Sequence, residues 1–186
     1  MTIEAELKAR VRDPERVHAL LEERAAGRPE VYQDAYYDTA DQALSGSDRE
    51  LRVRTIHGAD DTRSLLTYKG ARVDEASGSK PEHETRVEDP AAVHATLRGL
   101  GYVPFIQFEK RCRNYDFEAR GRQMLATLVR VPEIDGDFIE LETIVEEDQL
   151  QDALADVRAV LGELGIDAED LTTDTYTDAV ATSRTR

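Results

Sequence analysis

Charged residues recur at every second position in most of the extended stretches of this chain. The first, TIEAELKAR, alternates apolar Ile3, Ala5, Leu7 and Ala9 with Glu4, Glu6, Lys8 and Arg10. A period of two marks a strand with one apolar and one charged face. The same phase recurs with Arg52 and Arg54 in ELRVRTI, Lys69 in SLLTYKG, Glu82, Glu84 and Arg86 in PEHETRVE, and Glu140 and Glu142 in DFIELETIV. The stretch EKRCRNY adds Lys110, Arg111 and Arg113. Arginine grips phosphate oxygens with a fork of donors, and lysine supplies a point charge. Carboxylates beside them repel phosphate unless a divalent metal bridges the two, and hard oxygen ligands suit magnesium or manganese. These residue types predict a metal-dependent site for a nucleotide or polyphosphate.

Strands must hold those side chains on a common surface. About eight are readable, mostly joined by hairpins, and eight strands suffice to close a barrel around one small ligand. Three main helices accompany them. DPERVHALLEERAAG opens with an Asp13 cap and Pro14, with Gly27 as its expected stop. DPAAVHATLRGLG and EDQLQDALADVRAVLGELG are the others. With the apolar strand faces turned outward against these helices, the charged faces line an interior cavity. A solvated strand face is the competing reading for Glu4, Glu6 and Lys8 taken alone. Pairing with Glu82 or Glu84 competes with ligand contact for Arg52 and Arg54. The stretch ARVDEASGSK reads as a mobile loop.

DPERVHALL and DPAAVHATL share Asp-Pro, then Val-His, then Leu, and each follows a strand carrying Glu-x-Glu. ELRVRTI and EKRCRNY share Glu and then Arg-x-Arg. This internal repeat predicts two halves about a pseudo-twofold axis within one domain, residues 1–180, followed by a frayed tail over 181–186.

Composition narrows the function classes. The chain has 186 residues and a formal net charge of −15, which disfavours nucleic acid and anionic membranes as partners. No apolar run is long enough to span a bilayer and no signal peptide is evident, so the expected location is the cytoplasm. Four basic residues are lysine and twenty are arginine. An acidic, lysine-poor surface fits adaptation to concentrated salt, where self-repulsion is screened, and fits equally a GC-rich coding sequence.

Glu4-x-Glu6-x-Lys8 near the N-terminus resembles the ExExK motif of the CYTH superfamily, which includes class IV adenylyl cyclases, thiamine triphosphatases and inorganic triphosphatases. YYDTAD, LRVR, LTYKG, PEHETRVEDP, EKRCRNY, GDFIELE and TYTD follow in that family's order over nearly the whole chain. The resemblance implies an α+β fold, a single-domain eight-stranded antiparallel β-barrel forming a tunnel with helices packed outside. It implies metal binding by Glu4, Glu6 and Glu140 with Glu142 beside them. It implies triphosphate binding by Lys8, Arg52, Arg54, Lys69 and the strand holding Lys110, Arg111 and Arg113.

Two departures stand out. The family carries an aspartate on the strand before the GDF loop, where this chain has Val129 or Arg130, according to the placement of one gap. On the sixth strand, the family's Lys-x-Arg falls on Lys110 and Cys112, whereas the internal repeat favours Arg111 and Arg113. The implied activity is a lyase reaction: ATP, with magnesium or manganese, gives cyclic AMP and pyrophosphate. The alternatives are an inorganic or thiamine triphosphatase, and a degenerate tunnel that binds nucleotide or polyphosphate without turnover. A homodimer is among the expected assemblies. His18 and His94 occupy matching helix positions and read as packing residues, and Cys112 as a small buried one. Tyr176 in DTYTD either covers a tunnel mouth or packs plainly.

Overall fold

The computed structural model describes residues 2–186. Its elements in chain order are β1 (Thr2–Val11), α1 (Pro14–Glu22), β2 (Arg28–Asp38), β3 (Glu50–His57), β4 (Thr62–Lys69), β5 (Lys80–Val87), α2 (Pro90–Gly99), β6 (Val103–Ala119), β7 (Arg122–Arg130), β8 (Asp137–Glu146), α3 (Leu150–Glu163) and α4 (Tyr176–Arg184). The eight strands close a barrel in the order β1-β5-β4-β3-β2-β6-β7-β8, and every neighbouring pair is antiparallel.

The barrel wears its apolar face outward. Ile3, Ala5, Leu7 and Ala9 of β1 join Ile139 and Leu141 of β8 and Met124 and Ala126 of β7 in the main core, outside the strands. Helix α3 covers them with Ala153, Leu154, Val157, Val160 and Leu161. Each fully buried leucine there contributes about 1.5–3 kcal/mol relative to exposure. Alternation then forces Glu4, Glu6 and Lys8 into the barrel, because neighbouring strand residues face opposite sides. A smaller apolar cluster, with Cys112, Val129, Phe138 and Tyr176, fills one region of the interior.

The ring keeps the same neighbours when β1 exchanges with β5, β2 with β6, β3 with β7 and β4 with β8, which is the expected pseudo-twofold. The two matching histidines obey it. His18 of α1 shares a 2.5 Å hydrogen bond with the Tyr115 hydroxyl of β6, and His94 of α2 shares one of 2.7 Å with the Tyr37 hydroxyl of β2. The same symmetry corrects one sequence comparison. ELRVRTI lies on β3, whose equivalent is β7, while EKRCRNY lies on β6, the equivalent of β2. The shared Arg-x-Arg therefore joins strands that the symmetry does not relate.

Three local expectations change. Helix α1 ends at Glu22, and Gly27 serves close approach: a Cβ there would lie 2.7 Å from the Tyr115 ring. The 71–80 segment, expected as a mobile loop, is pinned at several points. Arg72 forks onto Asp48 at 2.8 and 2.9 Å, Asp74 accepts from the Ser77 amide and from Gln151, and Ser79 is buried. Residues 181–184, expected in a frayed tail, form the last turn of α4. Arg184 anchors that turn to Glu133 and to the Gln107 carbonyl. No helix among the described residues is long and apolar enough to cross a membrane.

Candidate functional site: a charged tunnel

The barrel interior holds a cavity of about 440 Å³ lined by Glu4, Glu6, Lys8, Arg52, Arg54, Lys69, Glu82, Glu84, Lys110, Glu140 and Glu142, among others. Register explains the convergence. Glu6 lies opposite Glu142 and Lys8 opposite Glu140 in the β1–β8 ladder, and Arg52 and Arg54 of β3 lie opposite Tyr36 and Asp34 of β2.

The acidic side is a cluster of three. Glu4, Glu6 and Glu142 each place a carboxylate oxygen within 4.8 Å of the other two. Lys69 donates to Glu4 and, at 2.9 Å, to Glu82. Burial, then Glu140 and Glu4, push the Glu6 carboxyl up to about 7. Burial, then Glu4 and Glu6, push Glu142 well above the ordinary carboxylate range, and burial raises Glu4 as well. Three crowded hard oxygen donors, Glu4 buried and Glu6 and Glu142 half-buried, fit magnesium or manganese, whose charge would relieve the repulsion between them. Glu140 stands apart from this trio. Despite burial it is held below its ordinary value by Lys110 and Lys8, and its carboxylate lies 4.0 Å from Lys110 Nζ.

The cations differ in how firmly their protein partners hold them. Arg54 is locked: its Nε and Nη2 donate to the two oxygens of Asp34 at 2.6 and 2.7 Å, and Asp34, though buried, is held well below its ordinary value by that guanidinium. Lys80, the one lysine outside the sequence-predicted set, also lines the cavity and is tied to Glu50 at 2.7 Å. Arg63 donates to Glu30 at 2.7 Å. Arg52 is held loosely. Its Nη2 reaches Thr67 at 3.3 Å and Glu84 at 3.9 Å, while its buried Nε has no partner. Lys110 has carboxylates only at 4.0 Å, and Lys8 donates to the backbone carbonyl of Asp174. Arg52, Lys8 and Lys110 are thus the cations best placed to accept an anionic ligand, because their protein contacts are few or distant.

The structure separates Arg111 and Arg113 from the tunnel, correcting that part of the expected substrate set. On β6 the inward residues are Lys110, Cys112 and Asn114. Arg111 is exposed beside Glu109, and Arg113 pairs with Glu22 on the outside. Strand β6 is regular there, so alternation excludes both phases at once. Val129 and Arg130 are resolved in the same way. Val129 points inward and is 2% exposed among apolar side chains, whereas Arg130 is outside and donates to the Gly136 carbonyl.

Several residues of the site escaped the sequence reading. Glu30, Tyr32 and Tyr36 line the tunnel and, with the buried Asp34, alternate along β2 with period two. Glu30 accepts from Asn114 at 2.6 Å, and Asn114 accepts from Thr127 at 2.8 Å. The signal was obscured because two tyrosines stand in the charged face and read as apolar.

A closed antiparallel barrel of eight strands, apolar outside, with carboxylates and cations interleaved within, defines a charged-tunnel protein. A model of the CYTH domain matches residues 2–176, and the chain belongs to that family. A Methanocaldococcus jannaschii protein described as a candidate adenylate cyclase is 23% identical over 94% of this chain and 96% of its own length. Among solved structures, the PH1819 protein of Pyrococcus horikoshii OT3 is 26% identical over 97% of this chain and 99% of that one, with a TM-score of 0.81. A Hippeastrum protein described as a candidate adenylyl cyclase with dominant triphosphatase activity shares the fold at a TM-score of 0.64. It is 18% identical, over 98% of this chain and 96% of that one.

Proposed function

We propose that this protein binds ATP with magnesium or manganese in the tunnel and converts it to cyclic AMP and pyrophosphate. The observation that carries the reading is the meeting, in one cavity, of a carboxylate trio and the loosely held cations Arg52, Lys8 and Lys110. Glu4, Glu6 and Glu142 would hold the metal, which supplies charge neutralisation for the triphosphate. Arg52, Lys8 and Lys110 would bind phosphate oxygens. In the reaction, the ribose 3′-oxygen forms a bond to the α-phosphorus as the bond from that phosphorus to the bridging oxygen breaks. Pyrophosphate leaves with the electron pair, and the 3′-hydroxyl proton passes to solvent. If water attacks the terminal phosphorus instead, the same groups support a triphosphatase.

Binding without turnover is the second reading, and Val129 favours it. Of the two positions where the family resemblance leads one to expect an aspartate, Val129 and Arg130, the inward one carries an apolar, buried side chain. Product analysis with ATP, thiamine triphosphate and tripolyphosphate, each with magnesium and with manganese, tests all three. Cyclic AMP from ATP supports the first reading. Phosphate release alone supports the triphosphatase. Tight binding with neither product supports the second reading, and no binding of any triphosphate overturns the tunnel assignment.

A further inference from the structure

Tyr176 begins α4 and projects into the barrel, where it is 7% exposed. Its ring is well used. Phe138 meets it edge-on with centroids 5.4 Å apart, and the ammonium groups of Lys8 and Lys110 stand over it at 4.6 and 4.8 Å. Its hydroxyl is not: the oxygen is fully buried, close to Glu140, yet makes no hydrogen bond of acceptable geometry with any described residue. Burial, and then the charge of Glu140, hold the phenol proton in place, so the group is a donor at neutral pH. A buried hydroxyl without a partner costs the fold roughly 1–3 kcal/mol, a cost phenylalanine would avoid.

The chain nevertheless takes trouble to hold this residue there. The Thr172 amide donates to the Lys8 carbonyl, Leu171 bridges to Ala9, and Thr175 caps α4 by accepting from the Asp178 amide. The C-terminal segment is thereby fixed along the strand that carries Glu4, Glu6 and Lys8.

We propose that Tyr176 contacts the ligand, its hydroxyl donating to an oxygen of the anion held between Lys8 and Lys110. The proposal rests on the triphosphate reading of the tunnel and adds to it a contact from outside the barrel strands. The two lysines over the ring and the donor at its tip would converge on one group of phosphate oxygens, and the ligand would supply a well-aligned acceptor, which Glu140, close by but poorly aligned, does not.

Tyr176→Phe keeps the ring, the edge contact with Phe138 and both lysine contacts, and removes only the hydroxyl. Calorimetric titration with magnesium tripolyphosphate and thermal melts of the ligand-free protein are the measurements. The variant should melt at the same temperature or higher without ligand, and bind about tenfold or more weakly, as expected for losing a hydrogen bond to a charged group. In wild-type protein carrying 13C at the tyrosine ζ carbon, the resonance that disappears in Tyr176→Phe should shift when tripolyphosphate is added. Equal affinity in the two proteins, or a resonance that does not move while the ligand binds, overturns the proposal. Failure of the wild-type protein to bind magnesium tripolyphosphate overturns the triphosphate reading itself, and the contact with it.

Discussion

Glu6 of β1 and Glu142 of β8 lie directly opposite one another in the barrel wall, both facing inward. Like charges in that relation destabilise a sheet. Here the repulsion is expressed in protonation: burial and its carboxylate neighbours push Glu6 up to about 7, and Glu142 well above its ordinary value.

The sign of the pH dependence follows. A carboxyl whose folded value exceeds its unfolded value binds its proton more tightly in the native state. Its stabilising effect is complete below the ordinary value of 4.5 and is lost as pH rises through the folded value, about 7 for Glu6. A divalent cation does the same work without a proton. Melts in chelator and in magnesium chloride should therefore show a larger metal-induced gain in melting temperature at about pH 8 than at about pH 5.5. An equal gain at both pH values would show that the metal binds elsewhere.

Inward and outward residues of β1, β3 and β6 should separate in a binding assay. Lys110→Ala and Arg52→Ala should each weaken magnesium tripolyphosphate binding by roughly tenfold or more, since each removes a charge-assisted contact. Arg111→Ala and Arg113→Ala should leave it within about twofold, their charges being solvent-exposed and screened. Glu4→Gln with Glu6→Gln should abolish the metal dependence while the circular dichroism spectrum is preserved. A strong effect from Arg111→Ala would contradict the observed strand phase.

Asp34 and Arg54 form a buried fork, with the aspartate side chain wholly enclosed. Asp34→Asn leaves the guanidinium buried without its counter-charge, at a cost of roughly 3–5 kcal/mol. Because Asp34 is held below its ordinary value, the wild-type benefit is present above pH 3.8 and fades as pH falls below it. Urea denaturation of wild type and variant should therefore differ clearly at neutral pH. A difference under about 1 kcal/mol would place the fork among pairs of little net value.

Val129 tests whether the family's aspartate can simply be reinstated. The site is enclosed by Cys112, Phe138 and Tyr176. A carboxylate there should destabilise by about 2 kcal/mol or more, because the surroundings offer little solvation. Arg130→Asp, on the exposed side, should cost far less. If Val129→Asp keeps its melting temperature and gains turnover, the apolar cluster tolerates a charge and the missing carboxylate is what limits the rate.

The sequence by itself determined the strands, their inward charges and the barrel class. Period-two alternation is a local property of the backbone, and with β1 reading Ile-Glu-Ala-Glu-Leu-Lys one face had to be apolar and the other charged. The repeated Asp-Pro-x-x-Val-His likewise marked two equivalent helices. Which charges remain available was decided only by tertiary structure. That Arg54 is locked on Asp34 while the Arg52 Nε has no partner depends on the β2–β3 register, which no single strand encodes. The trio of Glu4, Glu6 and Glu142, with Glu140 drawn toward Lys110, depends on the β1–β8 pairing of segments far apart in the chain. Arg111 and Arg113 were misread because two similar seven-residue stretches lie on strands that the pseudo-twofold does not exchange. Tyr176 was legible as a residue but not as a position, since only the docking of the C-terminal segment along β1 carries its hydroxyl into the tunnel.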